Sequence, residues 1–230
     1  MRLWNTYFIT SNEDDYAGPR DTPVYATNGS VIAMVPSAFF QDLCVEGAGR
    51  LSDGRVINIA GQCSYGVRCN ATHSGPSCYH VIDSTRAPWG HGSHSNPLVP
   101  LRSLATYPSD IPYGSYVYLP RWRGIEIPRV GDLGGFTHDG CFRADDVGGW
   151  IGSGHIDIFA GSKQMMQALE RIFPTRSQFE ASISPVSCAA AMAAVGDTPL
   201  VAAPSTQWLV AGAVVFGSAV AYYLWQRGQR

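Results

Sequence analysis

The sequence predicts a mainly β fold, built as one compact domain with an appendage at its C-terminal end. Three observations lead to this prediction. The chain has 230 residues, of which 45% are hydrophobic. Glycine and proline are frequent, at 25 and 15 residues, and many short apolar runs alternate with turn residues. The net charge of −2 gives no basic surface for nucleic acid, so no nucleic-acid partner is expected.

Short apolar runs predict strands along most of the chain. In order, they are TYFIT (6–10), SVIAMV (30–35), RVINIAG (55–61), YVYLP (116–120), GIEIPR (124–129), CFRADDV (141–147) and HIDIFAG (155–161). Two segments have helical spacing instead: PSAFFQDL (36–43) and SKQMMQALERIF (162–173), the second with a serine at its N-cap. Residues 12–23 are polar and predict a turn region.

These elements define the predicted domain organisation. Residues 1–173 form the main domain, and residues 62–98 form a cysteine-bearing insertion within it that ends in an exposed Gly/His loop. Residues 174–207 are rich in Ala, Ser and Pro, which is typical of a linker. The last five residues, 226–230, form a basic tail.

Residues 208–225, WLVAGAVVFGSAVAYYLW, predict a transmembrane helix. The segment contains no charged residue, and at about 1.5 Å per residue it reaches roughly 27 Å, the thickness of a bilayer core. Trp208 lies at one end and Trp225 at the other, as in an aromatic belt. The alternative is a buried core helix, but the segment follows a linker and precedes only the basic tail.

The charges beside this segment predict its orientation. Arg227 and Arg230 follow it, which places the tail in the cytoplasm and the domain in the periplasm or outside the cell. The N-terminus has acidic residues before any apolar segment and does not resemble a signal peptide. A phage origin would reconcile these observations, because a virion or lysis system delivers its proteins by another route.

Six cysteines favour disulfide bonds and an oxidising location. They are Cys44, Cys63, Cys69, Cys78, Cys141 and Cys188. The cluster at 63–78 predicts at least one disulfide in the insertion. A zinc site is a weaker alternative because the short C-x2-C spacing is absent, and Cys44 could instead be a free buried thiol.

Two aspartates, Asp146 and Asp157, lie on either side of the glycine-rich stretch VGGWIGSG. Strand alternation in HIDIFAG places His155, Asp157 and Phe159 on one face and the two isoleucines on the other. If the isoleucines face the core, Asp157 faces a groove and is partly desolvated. Desolvation raises the pKa of a carboxyl group, which suits a general acid for glycosidic bond cleavage. For Asp146, a structural role that binds backbone amides in the glycine turn remains the alternative.

The stretch RADDVGGWIGSGHIDIFAG resembles the signature of the three-aspartate (3D) domain of the membrane-bound lytic transglycosylase A family. Asp146, Gly148, Gly149, Ile151 and Asp157 fall in register with that pattern. The upstream segment from about residue 78, with its IPYG turn at 111–114, is similar to the segment that leads into this domain.

The resemblance implies a double-psi β-barrel with a few short helices. It also implies cleavage of the β-1,4 bond between N-acetylmuramic acid and N-acetylglucosamine in peptidoglycan glycan strands, with formation of a 1,6-anhydro sugar. Asp157 matches the catalytic aspartate and Asp146 matches a supporting one. His155, Gly148, Gly149, Tyr107 and Asp139 are the candidate substrate-binding residues. The family's reaction needs neither a metal nor a cofactor, and none is expected here.

One difference from the family pattern leaves other functions open. Tyr107 occupies the position where the first aspartate of the family is expected, and neither Asp110 nor Asp139 is in register to replace it. The alternatives are an expansin-like barrel that binds glycan without cleaving it, and a structural membrane protein of a virion or cell envelope. Because one fold serves several functions, the fold does not choose among them.

Overall fold

The computed structural model describes residues 1–70, 74–183, 185 and 187–190. In this part of the chain the protein is mainly β, as predicted, with few helices. The two longest are α1 (Ser37–Glu46) and α2 (Lys163–Ile172). The strands are β1 (Arg2–Ile9), β2 (Ser11–Asn12), β3 (Arg20–Tyr25), β4 (Val31–Pro36), β5 (Ala48–Arg50), β6 (Val56–Gln62), β7 (Arg68–Cys69), β8 (Ser74–Ile82), β9 (Ser103–Thr106), β10 (Tyr116–Tyr118), β11 (Glu126–Ile127), β12 (Phe136–Thr137), β13 (Cys141–Asp146), β14 (His155–Gly161), β15 (Gln178–Glu180) and β16 (Ser182–Ile183).

A seven-stranded sheet, called the main sheet below, has the order β15-β1-β14-β9-β13-β10-β16. Two of its pairings are parallel, β1 with β14 and β9 with β13, although the strands of each pair lie far apart in sequence. One face of the main sheet packs in a large hydrophobic core with α2, which contributes Met165, Ala168 and Leu169. The predicted serine N-cap of α2 is confirmed, since Ser162 Oγ accepts a hydrogen bond from the Met165 N–H at 3.2 Å.

A second, five-stranded sheet has the order β2-β5-β6-β8-β7 and is called the small sheet. It packs with α1 and the β3–β4 hairpin around a separate cluster that includes Phe39, Phe40 and Tyr79. Gly47 caps the C-terminal end of helix α1, and its left-handed φ of 71° suits a residue without a Cβ. The last residue of the helix, Glu46, is buried, and the chain continues through Gly47 into β5 of the small sheet.

Three disulfides link all six cysteines, so the disulfide prediction is confirmed and Cys44 is not a free thiol. Cys44 bonds to Cys69 and Cys63 to Cys78, which fastens the small sheet to α1 and closes β8 against the end of β6. The third bond joins Cys141 at the start of β13 to Cys188.

The structure corrects several sequence predictions. The turn region at 12–23 contains most of β3, which pairs with β4. Part of the predicted insertion, residues 68–82, supplies two strands of the small sheet. The predicted linker begins too early, because β15 and β16 lie at the two edges of the main sheet. Both strands are too short to show a periodic pattern in an Ala/Ser/Pro-rich sequence.

Within the described residues, no helix is both long enough and apolar enough to cross a bilayer. The predicted transmembrane segment, residues 208–225, and the basic tail lie outside the described residues.

Candidate functional site

The predicted alternation along β14 is confirmed. Ile156 and Ile158 lie in the large hydrophobic core. Phe159 lies on the opposite face, in a small cluster with Phe8, Leu98, Ala105 and Ile151 that we call the site cluster. The predicted exposure of Asp157 to a groove is wrong, because this residue has no exposed surface.

Strand β9 brings the two predicted acids to the same place. It lies between β13 and β14 in the main sheet, and its residue Ala105 pairs with Asp146 on one side and with Asp157 on the other. Directly paired residues in neighbouring strands lie about 4.5–5.5 Å apart and point to the same face. The sheet therefore places both carboxyl groups on the face of the site cluster, on either side of a methyl side chain.

A β-bulge in β13 adds a third acid to this face. The register between β13 and β9 shifts between Ala144 and Asp146, so Asp145 is an extra residue in the ladder. Asp145 Oδ2 accepts a hydrogen bond from Ser103 Oγ at 2.6 Å, and its Oδ1 accepts one from Arg143 Nε. Burial raises the pKa of Asp145, and the bonds to Arg143 and Ser103 oppose that effect.

Asp157 has one hydrogen-bond partner and one free oxygen. Its Oδ1 lies 2.7 Å from Thr6 Oγ1 on β1, in the register that pairs Thr6 with Asp157. Oδ2 is buried and has no partner. Burial raises the pKa of Asp157 well above its usual value, the Thr6 hydroxyl opposes this, and the charge of Asp146 adds to it. This environment favours the protonated form of the carboxyl group.

Asp146 is bound to backbone amides. Its Oδ1 accepts hydrogen bonds from the N–H of Ser93 at 3.0 Å and of Val147 at 2.9 Å. This is the contact expected for a structural aspartate, the alternative reading of the sequence. Burial nevertheless raises the pKa of Asp146 to about 7, against the effect of these amides, so its charge changes near neutral pH.

A buried glutamate from α1 lies near the same carboxyl groups. Glu46 Oε2 accepts a hydrogen bond from the Ile9 N–H at 3.0 Å. Burial raises the pKa of Glu46 well above its usual value, the Ile9 amide opposes this, and the charge of Asp157 raises it further. The sequence does not indicate Glu46 as a site residue, because it ends a helix 111 positions before Asp157.

His155 contacts the same hydroxyl group as Asp157. Its Nε2 lies 2.8 Å from Thr6 Oγ1, and its ring stacks on Trp4 with the two centroids 3.7 Å apart. Burial lowers the pKa of His155 to about 4, and a hydrogen bond to the Trp150 backbone carbonyl opposes this. The imidazole is therefore neutral at neutral pH. Nothing in the sequence singles out Thr6, which belongs to a strand about 150 residues away.

The glycine-rich loop between the acids is fixed at several points. A Cβ atom on Gly148 would lie 2.3 Å from Ile151 Cγ1, so only glycine allows this contact, whereas Gly149 has open space around it. Asp110 Oδ2 accepts hydrogen bonds from Ser153 Oγ at 2.7 Å and from the Gly154 N–H at 2.8 Å. Asp110 thus holds the loop just before His155.

The other predicted site residues divide into two groups. Tyr107 follows β9 and is 38% exposed. The antiparallel register that pairs Thr106 with Ile156 puts Tyr107 next to His155. Asp139 lies elsewhere, because it pairs with Arg102 and accepts the N–H of Cys141 at the start of β13. Five residues at about 3.3 Å each separate that end from Asp146, roughly 16 Å.

His138 lies near Asp139 and has a structural role. It is 1% exposed, its Nε2 lies 2.9 Å from the Leu101 carbonyl, and its Nδ1 accepts the Gly140 N–H. In the part of the chain that the structure describes, no three His, Cys, Asp or Glu side chains converge to hold a metal ion.

Comparisons with known proteins support the fold. No protein-family model matches the sequence, and no curated protein sequence matches it. Among solved structures, the chain shares its fold with the MltA-type lytic transglycosylases. It is similar to E. coli MltA with bound chitohexaose, at 17% sequence identity and a TM-score of 0.52, over 79% of this chain and 71% of that one.

Two further structures of the same kind match more loosely. The lytic transglycosylase LtgG of Burkholderia pseudomallei matches at 17% identity and a TM-score of 0.41, over 80% of this chain and 70% of that one. A membrane-bound lytic murein transglycosylase from Agrobacterium tumefaciens matches at 14% identity and a TM-score of 0.42, over 82% and 74%. We base the shared fold on the first structure.

Proposed function

We propose that this chain is a peptidoglycan lytic transglycosylase. In this proposal it cleaves the β-1,4 bond between N-acetylmuramic acid and N-acetylglucosamine and leaves a 1,6-anhydro-N-acetylmuramic end. The observation that carries the proposal is Asp157, a fully buried carboxyl group with a free Oδ2 atom and a raised pKa. The fold shared with MltA, which has been solved with an oligosaccharide bound, supports a glycan strand as the ligand.

In the proposed reaction, Asp157 acts first as a general acid. Its carboxyl group donates a proton to the glycosidic oxygen, and the bond from that oxygen to C1 of the muramic residue breaks. The resulting carboxylate then accepts the proton of the C6 hydroxyl as the C6 oxygen bonds to C1. The proton count balances, and no water is consumed. One carboxyl group performs both transfers, which requires a pKa near or above the working pH.

Asp146 has a supporting role in this proposal. Its pKa of about 7 makes it partly ionised at neutral pH, and its negative charge raises the pKa of Asp157. It thereby favours the protonated form of Asp157 that begins the reaction. Its bond to the Ser93 N–H also ties the 87–97 loop to β13.

We also propose the finer features that the sequence predicts. They are a double-psi arrangement of the main sheet, an Ala/Ser/Pro-rich linker, a membrane helix at 208–225, and a domain that faces the periplasm or the exterior, including association with a virion. His155, Gly148, Gly149 and Tyr107 form the proposed glycan-binding surface. Asp139 is left out because its ion pair with Arg102 lies at the other end of β13. Since Asp157 has no exposed surface, glycan binding requires neighbouring side chains to move.

The test is digestion of purified peptidoglycan, with mass spectrometry of the released muropeptides. Wild-type protein should release anhydro-muramic ends. Asp157→Asn should lower turnover by about 10²–10⁴-fold, the usual contribution of general acid–base catalysis. Asp139→Asn is the matched control and should keep the activity.

Each other outcome has a defined meaning. Reducing ends instead of anhydro ends would indicate a hydrolase that uses water. Glycan binding without any release would overturn the enzyme proposal and favour the expansin-like alternative. Tyr107→Asp would then show whether restoring the acid expected at this position restores cleavage.

A further inference from the structure

Arg143 on β13 lies on the same face of the main sheet as the two predicted acids. Its neighbours in the strand, Phe142 and Ala144, belong to the large hydrophobic core, so the side chain between them points to the face of the site cluster. Arg143 pairs with Ser103 of β9, and Asp157 pairs with the residue two positions further along β9. Two strand spacings of about 4.8 Å and two residues of about 3.3 Å each place the Cα atoms of Arg143 and Asp157 roughly 12 Å apart.

A series of hydrogen bonds fixes the position of the Arg143 guanidinium. Its Nε donates to Asp145 Oδ1 at 2.5 Å, and Asp145 Oδ2 accepts a bond from Ser103 Oγ at 2.6 Å. Ser103 Oγ in turn accepts the Val99 N–H at 2.9 Å. Asp145 and Ser103 are 1% and 0% exposed, so the guanidinium is anchored inside the protein. It is therefore oriented before any ligand arrives, which lowers the entropy lost on binding.

The outer end of the same guanidinium is open. The Arg143 side chain is 32% exposed, and within the described residues neither Nη1 nor Nη2 has a hydrogen-bond partner. Arg102 shows the contrast, since it is 3% exposed and its Nη1 donates to Asp139 and to the Cys141 carbonyl. The two terminal nitrogens of Arg143 carry parallel N–H groups, and such a pair matches the two oxygens of a carboxylate.

The acids near this guanidinium leave room for an anionic ligand. Asp145 forms the buried ion pair with Arg143, and Asp146 and Asp157 are at most 9% exposed. Burial favours the protonated forms of Asp146 and Asp157. On the other side, Tyr116 of β10 pairs directly with Arg143, so a phenol and not a further acid lies beside the guanidinium. The exposed charge at this position is therefore positive.

We propose that Arg143 binds a carboxylate carried by the muramic residue of the glycan strand, at a subsite beside Asp157. N-acetylmuramic acid differs from N-acetylglucosamine by a lactyl group. This group ends in a carboxylate in a peptide-free strand, and in a substituted strand it joins a stem peptide that has carboxylates of its own. Both sources present the chemistry that the guanidinium fits. Arg143 is then a specificity-determining residue that favours muramic strands over chitin-type strands, and this choice of ligand rests on the proposed function.

Binding of three hexasaccharides tests the inference. Chitohexaose has no carboxylate. A peptide-free strand of alternating N-acetylglucosamine and N-acetylmuramic acid has only lactyl carboxylates, and the third strand is the same one carrying stem peptides. Full-length protein with Asp157→Asn, which prevents cleavage, is titrated with each strand by isothermal titration calorimetry. At least one muramic strand should bind about tenfold more tightly than chitohexaose, a factor that one hydrogen bond to a charged group can supply.

A double variant shows whether the guanidinium causes this preference. Arg143→Gln alone leaves Asp145 buried without its cation, which typically destabilises a fold. It is therefore combined with Asp145→Asn, which keeps an acceptor for the Ser103 hydroxyl. In Arg143→Gln/Asp145→Asn the preference for muramic strands should disappear, whereas the affinity for chitohexaose should stay the same. An equal loss of affinity for all three strands would indicate a purely structural ion pair and would overturn the inference.

Two further variants complete the series. Arg143→Lys keeps the positive charge without the planar pair of donors, so its preference should be intermediate. Arg171→Gln is the matched control and should keep the full preference. Arg171 is exposed on α2, which packs against the opposite face of the main sheet. Near-ultraviolet circular dichroism confirms that each variant is folded.

The three strands also identify the source of the carboxylate. A preference for the peptide-free strand assigns the lactyl group, and a preference limited to the peptide-bearing strand assigns the stem peptide. Equal affinities for all three strands, or a preference that survives in the double variant, would overturn the inference. Absence of any glycan binding would overturn the proposed function as well. Because calorimetry needs no turnover, binding that depends on Arg143 without release of anhydro products would count only against the proposed reaction.

Discussion

Asp146 and Asp157 lie on opposite sides of one residue, Ala105, which pairs with both of them across the main sheet. Ala105 is fully buried, and its methyl group is the smallest side chain that keeps a Cβ between the two carboxyl groups. The spacing of the acids therefore depends on a strand, β9, whose Ala105 comes 41 residues before Asp146 and 52 before Asp157 in the sequence.

Ala105→Val should lower both stability and activity. Two extra methyl groups in a packed site typically cost about 1–3 kcal/mol, and a displacement of about 1 Å near reacting groups can lower turnover by about 10²-fold. Ala144→Val is the matched control, because Ala144 is equally buried but faces the large core. Urea unfolding should show similar losses for both variants, and peptidoglycan digestion should fail only with Ala105→Val. Equal turnover in the two variants would show that the space between the acids is not required.

The alternation of HIDIFAG was sufficient to predict which face of β14 carries Asp157, because isoleucines at every second position of a strand identify the core side. The sequence could not predict the partners of that face. Thr6 and Ala105 reach Asp157 through strand register between distant segments, and register leaves no local pattern.

Strand β9 itself escaped prediction for a related reason. Its four residues, Ser103–Thr106, contain only Leu104 and Ala105 as apolar residues, which is too little to show a period of two. The bulge at Asp145 was also not predictable, because it exists only relative to β9. The acids, the glycine loop and the helix cap were local features, and the sequence identified all three.

Asp146→Asn should stabilise the protein at alkaline pH. The pKa of Asp146 is about 7 in the folded chain, and the ordinary value of an aspartate is 3.8. Between these two pH values the unfolded chain has released a proton that the folded chain still holds. Stability contributed by this group is therefore lost as the pH rises from about 4 to 7. The full effect above pH 7 is at most roughly 4 kcal/mol, at 1.36 kcal/mol per pH unit.

Chemical denaturation at several pH values measures this effect. Asp146→Asn should be more stable than the wild type at pH 8 and equal to it at pH 4. Replacing the exposed Asp14 with asparagine provides the control. A loss of stability at pH 8 would mean that the amide cannot replace the carboxylate as acceptor for the Ser93 and Val147 N–H groups.

Removing the Cys141–Cys188 disulfide should destabilise the domain without affecting the site. The bond closes a loop with a sequence separation of 47, and loop-closure entropy for that length corresponds to about 4 kcal/mol, compared with about 3 kcal/mol for a loop of 15. The double variant Cys141→Ser/Cys188→Ser should therefore lose more stability than Cys63→Ser/Cys78→Ser, whose separation is 15. Guanidinium unfolding under oxidising conditions gives the ranking. Cys141 and Asp146 lie at opposite ends of β13. The molecules that stay folded should therefore keep their turnover.

Trp150→Ala should weaken glycan binding while leaving stability almost unchanged. Trp150 is 64% exposed and is the most exposed large hydrophobic residue in the described part of the chain. It lies in the loop between Asp146 and Asp157. The neighbouring Ile151 is buried in the site cluster against Gly148. The backbone that carries the Trp150 side chain is therefore fixed next to that cluster.

An exposed aromatic face beside the proposed cleavage site suits the C–H face of a sugar ring. We expect the affinity for chitohexaose to fall about tenfold in Trp150→Ala, equivalent to about 1.4 kcal/mol, and to fall less in Trp150→Phe.

The affinity is measured by isothermal titration calorimetry in the Asp157→Asn background, which prevents cleavage during the titration. Met34→Ala, an exposed apolar position at 44% on β4, is the control and should bind like its parent. Thermal unfolding should move little, because exposed substitutions typically change stability by about 0.5 kcal/mol or less. Unchanged affinity in Trp150→Ala, with clear binding by its parent, would place the sugar rings elsewhere on the site face.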